Sequence, residues 1–144
     1  MSFVLDTNVV SALRVPARNP DVAGRIAKIP VADLAVAALT VAEIERGIYG
    51  IERTDAAQGA ALRHWFTQSV LPAFSGRVLP FTLSAARILA GYRVPERAPY
   101  DDALIAATAQ AHGMTVVTRN VRHFAPLGIR VIDPWTEDLL PAGS

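Results

Sequence analysis

Five short apolar runs, set apart by longer helical stretches, constrain the fold of this chain more than any other feature. They are Ser2–Leu5, Leu34–Ala37, Arg77–Phe81, Met114–Val117 and Arg130–Ile132. Runs this brief and this apolar, bounded by turn residues, read as buried strands. Between them the spacing predicts helices. One runs through Val9, Val10, Ala12 and Leu13 and ends before Pro16. A second covers Asp21–Ile29, with Val22, Ile26 and Ile29 on one face and Pro30 as its stop. Others open at Thr40, run from Asp55 to about Val70, and cover Ser84–Tyr92. The last covers Asp102–His112, with Gly113 placed as its C-cap. Pro16–Pro20 and Val94–Pro99 read as loops. Strands alternating with helices predict an α/β fold: a central, mostly parallel sheet of four to five strands covered by helices. Sheets of this kind bind ligands beyond the carboxyl ends of their strands.

The acids stand at such junctions. Asp6 closes the first run and opens Asp6-Thr7-Asn8. As an acid between a strand and a helix it can cap the helix, or it can face a cleft. Glu43 lies in Thr40-Val41-Ala42-Glu43, which fits a capping box in which Thr40 bonds forward and Glu43 reaches back. Asp101 and Asp102 precede Ala103-Leu104-Ile105-Ala106-Ala107, a segment apolar on most sides and therefore buried. Acids at that helix start suit its dipole. A buried unpaired carboxylate is costly, and a cation removes the cost. Asp102, which adjoins the apolar segment, is the better inward candidate. Mg²⁺ and Mn²⁺ favour such hard oxygen ligands.

Other chemistries find less support. The chain has no cysteine, which excludes disulfides, thiolate zinc sites and a Cys nucleophile. The three histidines show no zinc-binding spacing: His64 lies beside Trp65, His112 ends a helix, and His123 follows a strand in Thr118-Arg119-Asn120-Val121-Arg122-His123. There is no phosphate-cradling Gly-x-x-x-x-Gly-Lys and no Gly-x-Ser-x-Gly nucleophile elbow. A net charge of +1 favours no class of partner. Lys28 is the only lysine, and the arginine bias suits phosphate recognition or simply reflects a GC-rich coding sequence. At 144 residues and 51% hydrophobic, the chain has the size of one domain with a full core. The N-terminus lacks the pattern of a signal peptide, and no apolar stretch spans a bilayer, so a cytoplasmic protein without membrane contact is expected.

Four segments, in order, resemble the PIN-domain family and, within it, the VapC-type toxins of toxin–antitoxin modules. They are Phe3-Val4-Leu5-Asp6-Thr7-Asn8-Val9-Val10-Ser11, Val41-Ala42-Glu43-Ile44-Glu45-Arg46-Gly47, Asp102-Ala103-Leu104-Ile105-Ala106-Ala107-Thr108-Ala109, and Val117-Thr118-Arg119-Asn120. The resemblance implies a single PIN-like domain over residues 1–144, a three-layer sandwich whose tail from about residue 137 carries little signal. It implies a ribonuclease dependent on Mg²⁺ or Mn²⁺, with Asp6, Glu43 and Asp102 as catalytic and metal-binding acids. Thr7, Asn8, Thr118 and Asn120 would support them, with Asp101 in reserve. It also implies an RNA substrate, a cognate antitoxin, and a homodimer or toxin–antitoxin hetero-oligomer, for which the helices around Val9–Leu13 and Leu62–Phe66 are candidate surfaces. The family often has a further acid where this chain has His123. That departure leaves room for a catalytically weak binding module acting through its partner. An aspartyl phosphatase using Asp6 is a second alternative, although Asn8 stands where such enzymes commonly carry another acid.

Overall fold

A computed structural model describes residues 1–141. Its centre is a five-stranded sheet in the order β3-β2-β1-β4-β5, formed by β1 (Phe3–Leu5), β2 (Leu34–Ala37), β3 (Val78–Leu79), β4 (Thr115–Val117) and β5 (Val131–Ile132). Every pairing is parallel. Phe3, Val4 and Leu5 pair with Thr115, Val116 and Val117, and Phe3 and Val4 with Leu34 and Ala35. Strands β1, β2 and β4 are buried along their whole length. That is the expected state of parallel strands with helices on both faces, and it explains their unbroken apolar sequence.

The helices are α1 (Thr7–Ala12), α2 (Pro20–Ala27), α3 (Ala38–Glu52), α4 (Ala56–Trp65), α5 (Leu71–Ala73), α6 (Leu83–Gly91), α7 (Tyr100–Ala111) and α8 (Val121–Phe124). Two apolar clusters form around the sheet. One gathers Phe3, Leu5, Val9, Val10, Phe66 and Val117, among others. The second joins Val4, Ile105, Ala106, Ala109, Val116 and Phe124. Helix α7 is buried on nearly every side, as its composition predicts.

Several boundaries differ from the sequence expectation, each for a local reason. Helix α3 starts at Ala38, straight out of β2, with no side-chain cap. Thr40 is therefore inside the first turn, fully buried, and its hydroxyl has no hydrogen-bond partner. The capping-box reading of Thr40 and Glu43 is thereby corrected, because no loop precedes Thr40. Helix α7 begins two residues before Asp102, after Pro99, whose φ of −59° suits a helix entrance. Asp55 caps α4 by accepting from the Gln58 N–H, and a wide π turn over Phe66–Val70 carries that helix on into α5. The third strand shrinks to an edge pair ended by Pro80. Val9, Val10, Ala12 and Phe66 lie in the core, with Leu13, Leu62 and Trp65 packed against it, so most of the suspected partner surface is interior. The segment after β5 also packs: Leu139 is buried and Asp138 pairs with Arg25 at 3.0 Å. No described helix is long and apolar enough to cross a membrane.

Candidate active site

Strand order alone locates the site. The chain leaves β1 toward β2 and β3, then returns to lay β4 on the other side of β1. A crevice opens where that order reverses, at the carboxyl ends of β1 and β4. Asp6 follows β1 directly, and Thr118 follows β4 directly. The Asp6 N–H donates to the Val117 carbonyl at 2.9 Å, which extends the ladder to the site itself.

Asp6 is only 4% exposed, and its carboxylate is tightly held. Oδ1 accepts from the Thr7 N–H at 2.8 Å, so Asp6 does cap α1. Oδ2 accepts from the Thr118 hydroxyl at 2.7 Å and, more weakly, from the Asn8 amide at 3.4 Å. Asn8 is a strut between strands: its amide donates to Thr118 Oγ1 at 3.2 Å, and its Oδ1 accepts from the Arg119 N–H at 3.2 Å. Thr118 Oγ1 also accepts from the Asn120 N–H at 3.0 Å. The part played by Asn120 is thus through its backbone, and its side chain is exposed.

Glu43 arrives from the second turn of α3 and Asp102 from the first turn of α7. The Thr7 hydroxyl donates to Glu43 Oε1 at 3.3 Å, so Thr7 touches two of the acids. Asp102 Oδ2 faces His123 Nδ1 at 2.9 Å. Asp101 is exposed on the same helical turn, whereas Asp102 is partly buried.

Burial is the main cause that raises the pKa of all three acids above the usual carboxylate range. Their mutual charges add to it. Asp102 raises Asp6, Asp6 raises Glu43, and Asp101 raises both Glu43 and Asp102. The Thr118 and Thr7 bonds pull Asp6 back down, and the Thr7 hydroxyl does the same for Glu43. Among the described residues, none of the three acids is paired with an arginine or lysine. The result is a set of mutually repelling hard oxygen ligands whose one basic neighbour among the described residues is His123, beside Asp102. Among the described residues, no group of three or more Asp, Glu, His or Cys side chains is gathered closely enough to hold a metal ion between them. A cation here would keep part of its water shell, which Mg²⁺ ordinarily does while taking one or two carboxylates directly.

The sequence reading missed two contacts. One is the Thr7–Glu43 bond, which joins α1 to α3. The other is the approach of His123 to Asp102, set by the way the short α8 rests on α7. The only hint of either was the odd residue type at position 123.

Residues 3–127 match the family described as PIN domain. The chain is 37% identical over 143 residues to the VapC ribonuclease Y4jK of Sinorhizobium fredii, covering 92% of this chain and 97% of that protein. It is 34% identical over 138 residues to the toxin FitB of Neisseria gonorrhoeae, covering 92% and 98% respectively. The crystal structure of FitAcB from the same organism superposes with a TM-score of 0.83 at 32% identity, over 94% of this chain and 99% of that one. With the fold, the strand-end acids and the matched sequence in agreement, the chain belongs to the PIN-domain family, in its VapC type.

Proposed function

We propose that this protein is an endoribonuclease that uses Mg²⁺ or Mn²⁺, and that it is the toxin of a VapBC-type toxin–antitoxin pair, acting as a single domain over residues 1–144. One observation carries the chemistry. Asp6, Glu43 and Asp102, drawn from three separate elements, act on one another at the carboxyl end of a parallel sheet, and among the described residues none is paired with an arginine or lysine. Asp6 and Asp102 would hold the ion directly, and Glu43 would reach it through water. When bound, the metal supplies a Lewis acid that offsets phosphate charge and makes a water molecule easier to deprotonate.

The remaining work falls to the chain's own groups. The Thr7 N–H and the Thr118 hydroxyl fix both oxygens of Asp6, so that carboxylate keeps one orientation. Glu43, half-buried and oriented by the Thr7 hydroxyl, takes the proton of the attacking water. Its raised pKa makes it a stronger base than a solvated carboxylate. Arg119 and Arg122 are exposed just beyond β4, where guanidinium groups can pair phosphate oxygens. The relatives carrying the names VapC ribonuclease and toxin support both the RNA substrate and the toxin role. A cognate antitoxin, a homodimer or hetero-oligomer, and a cytoplasmic site of action belong to the same reading. An apolar cleft of about 250 Å³, lined in part by Leu13, Val31 and Trp65, which the core leaves partly or fully exposed, offers a protein partner a place to bury side chains.

The test is cleavage of RNA by the purified protein with Mg²⁺ or Mn²⁺, then with EDTA, then by Asp6→Asn. Cleavage is expected only in the first case. Cleavage without metal, or full activity in Asp6→Asn, sinks the proposal.

A further inference from the structure

His123 touches one of the three acids directly, and the proposed chemistry leaves it unused. It sits in α8, which is short but not loose. Phe124 beside it is fully buried against Ile105, Ala106 and Ala109 of α7, and the His123 N–H donates to the Asn120 carbonyl at 2.9 Å. The ring is thereby held over the first turn of α7. Its Nδ1 lies 2.9 Å from Asp102 Oδ2, with the Asp102 side chain 19% exposed and the imidazole 38% exposed.

A carboxylate can only accept a hydrogen bond, so the short contact requires a hydrogen on Nδ1. It is present in the neutral Nδ1–H tautomer as well as in the cation, and the contact does not depend on the ring's charge. Among the described residues, Asp102 has no other side-chain hydrogen bond to hold its rotamer, in contrast with Asp6 and Glu43. We infer that His123 is the positioning residue of Asp102: its Nδ1–H engages Oδ2 and leaves Oδ1 as the single oxygen presented to a divalent cation. This rests on the metal site proposed above. An acid at the same place would repel Asp102 and add a fourth negative charge. The histidine orients Asp102 while leaving the site with three. Partners that orient a metal-binding side chain are commonly worth about 10–100-fold in metal affinity.

Two measurements on the full chain test it. The first needs no metal: ¹⁵N spectra of the imidazole at a pH where the ring is neutral. The Nδ1–H tautomer is expected in the wild type and its loss in Asp102→Ala. An Nε2–H tautomer in the wild type overturns the inference. The second is calorimetric titration with Mn²⁺ alone. Asparagine places a donor near Nδ1 and glutamine places one near Nε2. His123→Asn should keep affinity within about threefold, whereas His123→Ala and His123→Gln should each lose about tenfold or more. Wild-type affinity in the alanine variant overturns the positioning role while leaving the metal site intact. Affinity kept in His123→Gln but lost in His123→Asn makes His123 a direct ligand through Nε2 and overturns it as well. A wild-type protein that takes up no Mn²⁺ overturns the metal site and this inference together.

Discussion

Thr118→Val is the substitution that most cleanly separates the wiring of this site from its packing. Valine has nearly the shape of threonine, so no cavity forms at a position with no solvent exposure. What disappears is one hydroxyl with three bonds: to Asp6 Oδ2 at 2.7 Å, from the Asn8 amide at 3.2 Å and from the Asn120 N–H at 3.0 Å. The first involves a carboxylate and contributes roughly 1.5–3 kcal/mol, and neutral bonds contribute about 0.5–1.5 kcal/mol each. Asn120 is exposed and Asn8 is part-exposed, so water recovers most of their share. The expected cost is about 2–4 kcal/mol at neutral pH. With a urea slope of about 2 kcal/mol/M, the unfolding midpoint should fall by about 1–2 M in EDTA. Thr118→Ser keeps the hydroxyl and should lose less than half as much. The loss also has a pH signature. The hydroxyl lowers the Asp6 pKa, so its removal raises that pKa further, and the penalty should shrink as pH falls and Asp6 takes up a proton. A midpoint within about 0.3 M of wild type at neutral pH, or a penalty that does not vary with pH, refutes the reasoning.

Four further outcomes follow from the same geometry. Asp102→Asn and Asp6→Asn should each reduce RNA cleavage by at least about 100-fold with circular dichroism unchanged. Asp101→Asn, at an exposed position, should cost less than about tenfold in the same assay. The folded pKa values of Asp6, Glu43 and Asp102 are raised above their unfolded references of 3.8, 4.5 and 3.8. These groups therefore stabilise the fold below the reference values and lose that contribution as pH rises through the folded ones. Thermal melts in EDTA should show the three acids adding stability as pH drops from neutral toward their unfolded reference values, with less gain in Asp6→Asn, and saturating Mn²⁺ should suppress the effect. Gly59→Ala would place a Cβ 2.7 Å from Glu52 Cγ and 2.8 Å from Glu52 Cα. Overpacking of about 1–3 kcal/mol should outweigh a helix-propensity gain of up to about 1 kcal/mol, seen as a lower melting temperature.

Much of this arrangement can be read from the residues, and the gaps have physical causes. Asp6 and Asp102 are legible because a strand end and the start of a buried apolar helix are local signals. The sheet was legible where both faces are covered. It was misjudged at the edge, where β3 has only two paired residues and Pro80 closes it. Glu43 was obscured by Thr40-Val41-Ala42-Glu43, a pattern that means a capping box only when a loop precedes it. Here β2 runs directly into α3, so Glu43 is free to meet Thr7 instead. The His123–Asp102 approach spans 21 residues and depends on how α8 seats Phe124. No periodicity encodes such a distance.

The bond between Thr118 and Asp6 also sets an order of events during synthesis. Asp6 leaves the ribosome well before the hydroxyl that anchors it, which is added 112 positions later. The Val117 carbonyl that receives the Asp6 N–H arrives at the same late stage. Until β4 docks beside β1, the earliest acid of the site has neither anchor. A product released before that point carries Asp6, Glu43 and Asp102 yet lacks the strand that fixes the first of them. For an enzyme proposed to cut the RNA of the cell that makes it, the site is complete only once β4 has docked beside β1.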